Sequence, residues 1–273
     1  MNFIKFLDTL SDREALSAKG SRRDSLQQLK DIGKNAAMAS IPFAMAATSN
    51  STKAATNSMA SAAFMADNND VLKFALSLEY LEREFYQIGM DTNGLIPEED
   101  RTVFQTILNH ESSHVSFFVT ALGLSDGDLK PTFDFTGAPG GLNLDTFQNY
   151  ETFMALAQGF EDTGVRAFKG QAGALANDNT LLTYALQVHS VEARHASQVR
   201  RMRGEKGLIT KNENTLPAAF SAIYAGEENT SQGGVELSGA FGSLGGDNAL
   251  TEAFDEPLTM DEVLAIAGTF IVS

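Results

Sequence analysis

Two short stretches decide the fold: HESSH at residues 110–114 and HSVEARH at residues 189–195. Each contains a glutamate followed three positions later by a histidine. Residues three apart on an α-helix lie on one side of it, so each pair can direct a carboxylate and an imidazole to the same point. A single Glu-x-x-His pair is weak evidence for a binding site. Two such pairs predict two helices that line the same site. The pairs are Glu111 with His114 and Glu192 with His195.

The surrounding sequence repeats at a nearly constant offset. Glu79 precedes Glu111 by 32 residues, and Glu161 precedes Glu192 by 31. The offset between the halves is 82 residues for Glu79 and Glu161, and 81 residues for both members of the Glu-x-x-His pairs. The chain is therefore predicted to contain, twice over, a helix bearing one glutamate followed by a Glu-x-x-His helix.

These side chains form the donor set of a two-metal site. Carboxylates and imidazoles suit two divalent ions, with Fe as the first prediction and Mn as the alternative. Two such ions would cancel the charges of four carboxylates, which would otherwise repel one another in a dry core. The chain has no cysteine, so a thiolate site is excluded. The predicted ligands are Glu79, Glu111, His114, Glu161, Glu192 and His195.

Two residues that follow Glu79 have open roles. Glu82 lies one turn further along and is either a neighbour or extra ligand of the site, or a solvated residue in a charged stretch. Tyr86 could hydrogen-bond a ligand carboxylate or relay an electron, and filling the core is an equal alternative for an aromatic ring. The equivalent residue in the second half of the repeat, Phe168, has no hydroxyl. Any role that needs a tyrosine hydroxyl is therefore confined to the first half.

The two remaining histidines accompany the motifs. His189 lies three residues before Glu192 on the same helix face, where it is either an extra ligand or a partner that orients one. The orienting role is preferred. His110 points about 100° away from Glu111 around the helix, and it is predicted to be structural.

Helical periodicity and capping residues predict an all-α chain. The segment 123–144 is rich in glycine and proline and is too long for a hairpin. It could cross the roughly 40 Å length of a bundle, which would make the second and third helices parallel. The four predicted helices run from Asn69-Asp70 to Asn93-Gly94, from Pro97 in the first turn to Gly123, from near Asp145 through Phe168, and from the Asn177–Asn179 turn to Gly207.

The predicted bundle, residues 67–206, is flanked by two segments of different composition. Residues 1–66 are predicted to form a helical arm and a linker. Within them, Ser21-Arg22-Arg23 and the alanine-rich stretch 35–48 resemble a degraded twin-arginine export signal, so exported and cytoplasmic locations stay open. Residues 207–273 are predicted to be an irregular, glycine-rich tail that ends in a short helix over 259–269.

Net charge and composition limit the classes of binding partner that the protein can have. A net charge of −15 disfavours nucleic acid and favours small cations. An apolar fraction of 43% is enough to fill a core, and no run of apolar residues is long enough to predict a transmembrane helix. A homo-oligomer formed through the apolar face of the alanine- and methionine-rich segment stays open.

The chain resembles the bacterial ferritin-like domain family that includes the plant desiccation-related proteins. The similarity covers roughly residues 70–204, through FALSLEYLEREFY, HESSHVSFF, FEDTGVRAFKG and HSVEARHASQVR, and the tail AFDEPLTMDEVLAIA is also similar. The resemblance implies a ferritin-like, up-down-down-up four-helix bundle with a long crossover. It also implies that the six predicted ligands occupy the family's ligand positions.

The resemblance implies little about the reaction, because fold is not function. One hypothesis is a di-iron oxidase or ferroxidase that uses O2 or peroxide, with a manganese catalase as its nearest variant. The other is a non-enzymatic stress-related, desiccation-related or surface-associated scaffold. A closed mineral-storing cage is disfavoured, because the long arm and tail would have to fit outside or between subunits.

Overall fold

A computed structural model describes residues 68–239 and 242–272. The predicted N-terminal arm, linker and export-like signal lie outside the described residues. Six α-helices are present in the described ranges: α1 Asn68–Asp91, α2 Glu98–Leu122, α3 Tyr150–Ala172, α4 Asn179–Met202, α5 Gly246–Thr251 and α6 Met260–Ala267. Two small antiparallel pairs join β1 Thr132–Phe133 to β4 Ile271–Val272, and β2 Ser231–Gln232 to β3 Val235–Glu236.

Helices α1 to α4 form the predicted up-down-down-up bundle. Helices α1 and α2 are joined by a short connection and pack closely, as do α3 and α4. Helices α2 and α3 run parallel, since Phe104 contacts Phe153 near the start of both (ring centroids 5.2 Å apart) and Phe118 contacts Phe168 near the end of both (6.1 Å). The prediction of a long crossover between parallel helices is therefore confirmed.

The crossover is tied to helix α1 by charged side chains. Arg83 forms a two-pronged ion pair with Asp126, at 2.9 and 3.0 Å, and Lys130 pairs with Glu84. Phe135 of the crossover is buried in the main apolar cluster. The crossover thus covers one side of the bundle and satisfies two charges that follow Glu82 in the sequence.

Helix α3 begins five residues later than predicted, at Tyr150 rather than near Asp145. Asn149 is its N-cap, and the side chain accepts backbone N–H groups, the first of them from Glu151. Asp145 belongs to a separate turn, where its carbonyl oxygen accepts the N–H of Gln148. The prediction was wrong because Asp and Asn are both good N-caps, and sequence could not say which one starts the helix.

Two other boundaries shift slightly. Pro97 precedes the first turn of α2 instead of lying inside it, and Gly123 in left-handed conformation (φ 68°) ends that helix. Helix α6 ends at Ala267, two residues before the predicted end, and starts with a capping box between Thr259 and Glu262. Shifts of this size are ordinary for helix ends.

The tail shares its core with the bundle. Phe220, in a seven-residue 3-10 helix at Ala218–Tyr224, and Val263 of α6 lie in the same buried apolar cluster as Phe160 of α3. The ring of Phe270 packs edge-on against Phe160, with centroids 5.0 Å apart, and stacks on Phe220 at 6.2 Å. Among the described helices, none combines the length and apolar character needed to cross a bilayer.

A buried arginine fastens the tail to helix α3. Arg166 is 1% exposed, and its Nε lies 2.7 Å from Oε1 of Glu227. Its guanidinium also donates to three backbone carbonyls of the tail, those of Ile223, Ala225 and Glu256. One α3 side chain therefore contacts four polar groups of the tail, three of them within residues 223–227 and the fourth at Glu256.

Candidate metal centre

The six predicted ligands lie close together inside the bundle, and each of the four helices contributes at least one of them. Helices α1 and α3 each supply one glutamate, and helices α2 and α4 each supply a glutamate and a histidine. The four carboxylates are fully buried and the two imidazoles nearly so. The residues brought together are Glu79, Glu111, His114, Glu161, Glu192 and His195.

The first group of donors surrounds His114. Its Nδ1 lies 3.1 Å from one oxygen each of Glu79, Glu111 and Glu192. A single ring nitrogen can share one proton with one acceptor at a time, so three acceptors at this distance are more than it can satisfy. This arrangement is typical of donors that converge on a cation.

The second group surrounds His195. Its Nδ1 lies 2.9 Å from Oε1 of Glu111, 3.3 Å from Oε2 of Glu161 and 4.0 Å from Oε2 of Glu192. Glu111 and Glu192 therefore each present one oxygen to His114 and the other to His195. Two donor groups that share two carboxylates have the arrangement of a bridged pair of ions.

The residues fit such a pair on two independent observations. Within each group the donor atoms all lie within 4.8 Å of one another, and adjacent donors of a six-coordinate ion with bonds of about 2.1 Å are separated by about 3.0 Å. Buried donor atoms in the group also have no hydrogen-bond partner among the described residues, an arrangement that is costly unless a cation satisfies them. These atoms are Oε1 of Glu79, Oε1 of Glu111, Oε2 of Glu161, both oxygens of Glu192 and Nδ1 of His195.

Neighbouring side chains hold the donors in place. The hydroxyl of Tyr86 donates to Oε1 of Glu161 at 2.5 Å, which leaves the other oxygen facing His195. Next along α3, Asp162 forms a two-pronged buried pair with Arg200 of α4, at 3.0 and 2.5 Å. These bonds fix the spacing of α3 and α4 next to the centre.

His110 has a role that the sequence did not predict. Its Nδ1 lies 2.9 Å from Nε2 of His195, and the two rings stack with centroids 5.2 Å apart. When Nδ1 of His195 faces a cation, Nε2 carries the proton and donates it to His110. The position of His110 relative to Glu111 on α2 could not predict this contact, because the contact is with a residue of another helix, α4.

The two residues predicted as extra candidates have different surroundings. Glu82 is 2% exposed, so the alternative that it is solvated is wrong, yet it belongs to neither donor group. His189 also lies outside both groups, and its Nδ1 has no hydrogen-bond partner in the described part of the chain. Both of the predicted roles of His189, extra ligand or orienting partner, stay predictions.

The carboxylates of the metal-free centre have strongly divergent pKa values. Burial raises the pKa of Glu79 to about 8 and raises the pKa of Glu192 well above its usual range. Burial would also raise the pKa of Glu111, but the hydrogen bond with His114 and the charge of His195 outweigh it and hold this pKa at about 2. Protons on some carboxylates thus relieve the repulsion that metal ions would otherwise neutralise.

The histidines shift in the opposite sense. Burial would lower the pKa of His195, but the charges of Glu161 and Glu192 raise it to about 11. Burial would likewise lower the pKa of His114, which the charge of Glu79 raises far above 6.5. In the absence of metal, both imidazoles are therefore protonated at neutral pH.

Metal loading is therefore expected to release protons. His114 and His195 hold protons at pH 7 because their pKa values are raised, and each must lose its proton to become a ligand. The apparent affinity should rise between pH 6 and pH 8 by about tenfold per pH unit for each proton displaced. Calorimetric titration of Mn(II) in buffers of different ionisation enthalpy measures this release. Binding without proton release, or with pH-independent affinity, would contradict the assignment.

Comparison with known proteins agrees with this geometry. Residues 67–205 match the family model described as ferritin-like domain, which covers more than half of the chain and includes all six clustered residues. A search of curated proteins finds no match. The chain belongs to the ferritin-like domain family.

Proposed function

We propose that the protein binds two iron ions between helices α1 to α4 and oxidises Fe(II) with O2 or peroxide. The observation that carries the proposal is the sharing of Glu111 and Glu192 between two donor groups, each with its own imidazole. A single-metal site needs no such sharing. Carboxylate and imidazole donors without thiolate are also those that iron and manganese accept.

The residues of this chain would divide the work. Glu111 and Glu192 would hold the ions at a fixed separation, while Glu79 and Glu161 would each complete one donor group. Tyr86 would orient Glu161 through its hydrogen bond. When bound, two Fe(II) ions supply one electron each, which together with two protons reduce one hydrogen peroxide to two waters. The buried carboxylates would stabilise the higher charge of the Fe(III) products.

Anaerobic titration with Fe(II) followed by exposure to oxidant tests this proposal. Chelator-treated protein should saturate at two Fe(II) per chain, and peroxide or air should then oxidise both, seen as near-ultraviolet Fe(III) absorption. Glu151→Gln, which alters an exposed glutamate of α3, is the matched control and should behave as the wild type. Absence of Fe(II) binding in the folded wild type would overturn the proposal.

The other candidates predict different results in the same assay. A manganese catalase would evolve oxygen from peroxide after loading with Mn(II), and would oxidise bound Fe(II) slowly. A stress-related or desiccation-related scaffold would bind little metal, or would bind it without turnover. Several buried donor atoms of both groups have no hydrogen-bond partner among the described residues, and this favours the metal-dependent alternatives over the scaffold.

A further inference from the structure

The crossover from α2 to α3 encloses a cavity of about 270 Å³, and none of the six clustered residues lines it. Three aromatic rings form much of its wall, those of Phe133, Phe135 and Phe147. The ring of Phe135 contacts the other two, with centroids 5.9 and 5.7 Å apart. Gln148 in the lining is exposed, so the cavity opens to solvent. Its size is near the lower end of small-molecule pockets, and its wall suits a planar aromatic ring.

One polar group of the cavity wall can bind a hydroxyl of such a molecule. Oδ1 of Asp134 accepts hydrogen bonds from the backbone N–H of Thr136 at 2.9 Å and from its hydroxyl at 2.6 Å. These bonds hold the pKa of Asp134 below its usual range, so the carboxylate is ionised at neutral pH. Both bonds use Oδ1, which leaves Oδ2 available to a ligand. A phenolic hydroxyl is a good donor to an ionised carboxylate.

A continuous series of contacts joins the cavity to the candidate centre. Phe135 and Phe147 each contact Phe85 of α1, with ring centroids 5.6 and 5.9 Å apart. Phe85 contacts its neighbour Tyr86 at 5.1 Å, and the hydroxyl of Tyr86 donates to Glu161 at 2.5 Å. Phe85 and Tyr86 are both fully buried. Only two side chains therefore separate the wall of the cavity from a predicted ligand of the metal ions.

The proposed function creates a need for electrons at the centre. Peroxide converts two Fe(II) to two Fe(III), and two electrons must return before the next turnover. The four carboxylates of the centre are buried, so a reductant has to act from outside the donor groups. A hydroquinone, which is an aromatic ring with two hydroxyl groups, supplies two electrons and two protons when it becomes a quinone. Holding such a reductant close to the centre raises the rate of its reaction.

We propose that the crossover cavity binds a small hydroquinone, which reduces the oxidised metal pair by way of Phe85 and Tyr86. The inference rests on the proposed function, because the electrons need two Fe(III) ions as their acceptor. Both O–H bonds of the hydroquinone break, and its two electrons convert two Fe(III) to two Fe(II). Its two protons replace those consumed when peroxide becomes two waters. The sum is hydroquinone plus hydrogen peroxide giving quinone plus two waters.

Anaerobic calorimetry with hydroquinone tests binding on the metal-free protein, without any catalytic readout. The wild type should bind one hydroquinone per chain with a dissociation constant of about 1 mM or lower. Leu144→Trp places a larger ring in the lining of the cavity and should weaken binding at least about tenfold. Leu186→Trp, which alters an exposed leucine of α4, is the matched control and should bind like the wild type. Circular dichroism checks that each variant is folded.

Two further measurements locate the molecule and test its role. Wild-type crystals soaked with 4-bromophenol should show an anomalous bromine peak beside Phe133, Phe135 and Phe147, whatever the variants do. In anaerobic protein loaded with Fe(III), reduction by hydroquinone should saturate in the wild type and slow at least about tenfold in Leu144→Trp. Dithionite, an inorganic reductant that needs no aromatic cavity, should reduce the wild type and the variant at equal rates.

The outcomes separate this inference from the proposed function. Absence of hydroquinone binding in the folded wild type, or bromine bound only elsewhere, overturns the inference while the two-metal function stands. Equal rates of hydroquinone reduction in the wild type and Leu144→Trp overturn the role of the cavity as the reductant site. Failure of the wild type to bind Fe(II) overturns the proposed function itself, whatever binds in the cavity.

Discussion

Replacing Glu192 with glutamine should weaken the binding of both metal ions, each by more than about 100-fold, beyond the loss usual for residues that only orient a ligand. The reason is that its two oxygens face different histidines, Oε1 at 3.1 Å from His114 and Oε2 at 4.0 Å from His195. Titration with Mn(II), monitored through the magnetic resonance signal of the free ion, measures the loss of affinity for both ions.

The comparison variant is Glu79→Gln, which alters a carboxylate of one group only. Glu79→Gln should strongly weaken the binding of one ion and should have a much smaller effect on the affinity for the ion at Glu161 and His195. Metal-free Glu192→Gln should be at least as stable as the wild type in thermal unfolding, because a buried acid is removed. Loss of a single ion in Glu192→Gln, or of neither, would contradict the shared-ligand arrangement.

Replacing Arg166 with methionine should lower the free energy of unfolding by roughly 3–5 kcal/mol. The substitution leaves Glu227 buried without its partner, which lies 2.7 Å away in the wild type, and removes donors from three tail carbonyls. Methionine keeps most of the apolar volume, so the loss measures the polar contacts. Urea unfolding followed by circular dichroism gives the value.

Arg101→Met is the matched control for this substitution. Arg101 is partly exposed, donates to the carbonyl of Met90 at 3.1 Å and lies 3.9 Å from Glu98. A pair of this kind is worth about 1 kcal/mol or less, so the control should unfold close to the wild type. If Arg166→Met were no more destabilised than Arg101→Met, the tail would not depend on Arg166.

Much of the centre could be predicted because its spacing is local. Glu111 and His114 share a face by helix geometry alone, and the repeat offset identified Glu79 and Glu161 as their equivalents. Aromatic spacing also pointed to Tyr86, which the structure places in a hydrogen bond with Glu161. The ligand role of these residues stays a prediction until metal is measured.

The surroundings of Glu82 could not be read in the same way. The charges beside it suggested a solvated stretch, but Arg83 and Glu84 are paired with crossover residues more than forty positions away. Its burial depends on Gly164 in another helix, and a glycine has no side chain to signal a contact. The contact of His110 was not predicted because its partner, His195, is 85 residues away in the sequence.

The tail was the least predictable part of the fold. Its core residues, such as Phe220 and Phe270, lie outside any long amphipathic helix, so no periodicity marks them as buried. The buried arginine that fastens the tail looks, in sequence, like any polar residue of α3. Only the packed structure shows that Arg166 faces the tail rather than solvent.

The central claim is that the centre holds two ions bridged by Glu111 and Glu192. Anomalous X-ray scattering from crystals loaded with Mn(II) tests it most directly. Two peaks are expected, about 3.5–4 Å apart, one beside His114 and one beside His195. A single peak, or metal bound elsewhere with these six side chains unliganded, would contradict the account.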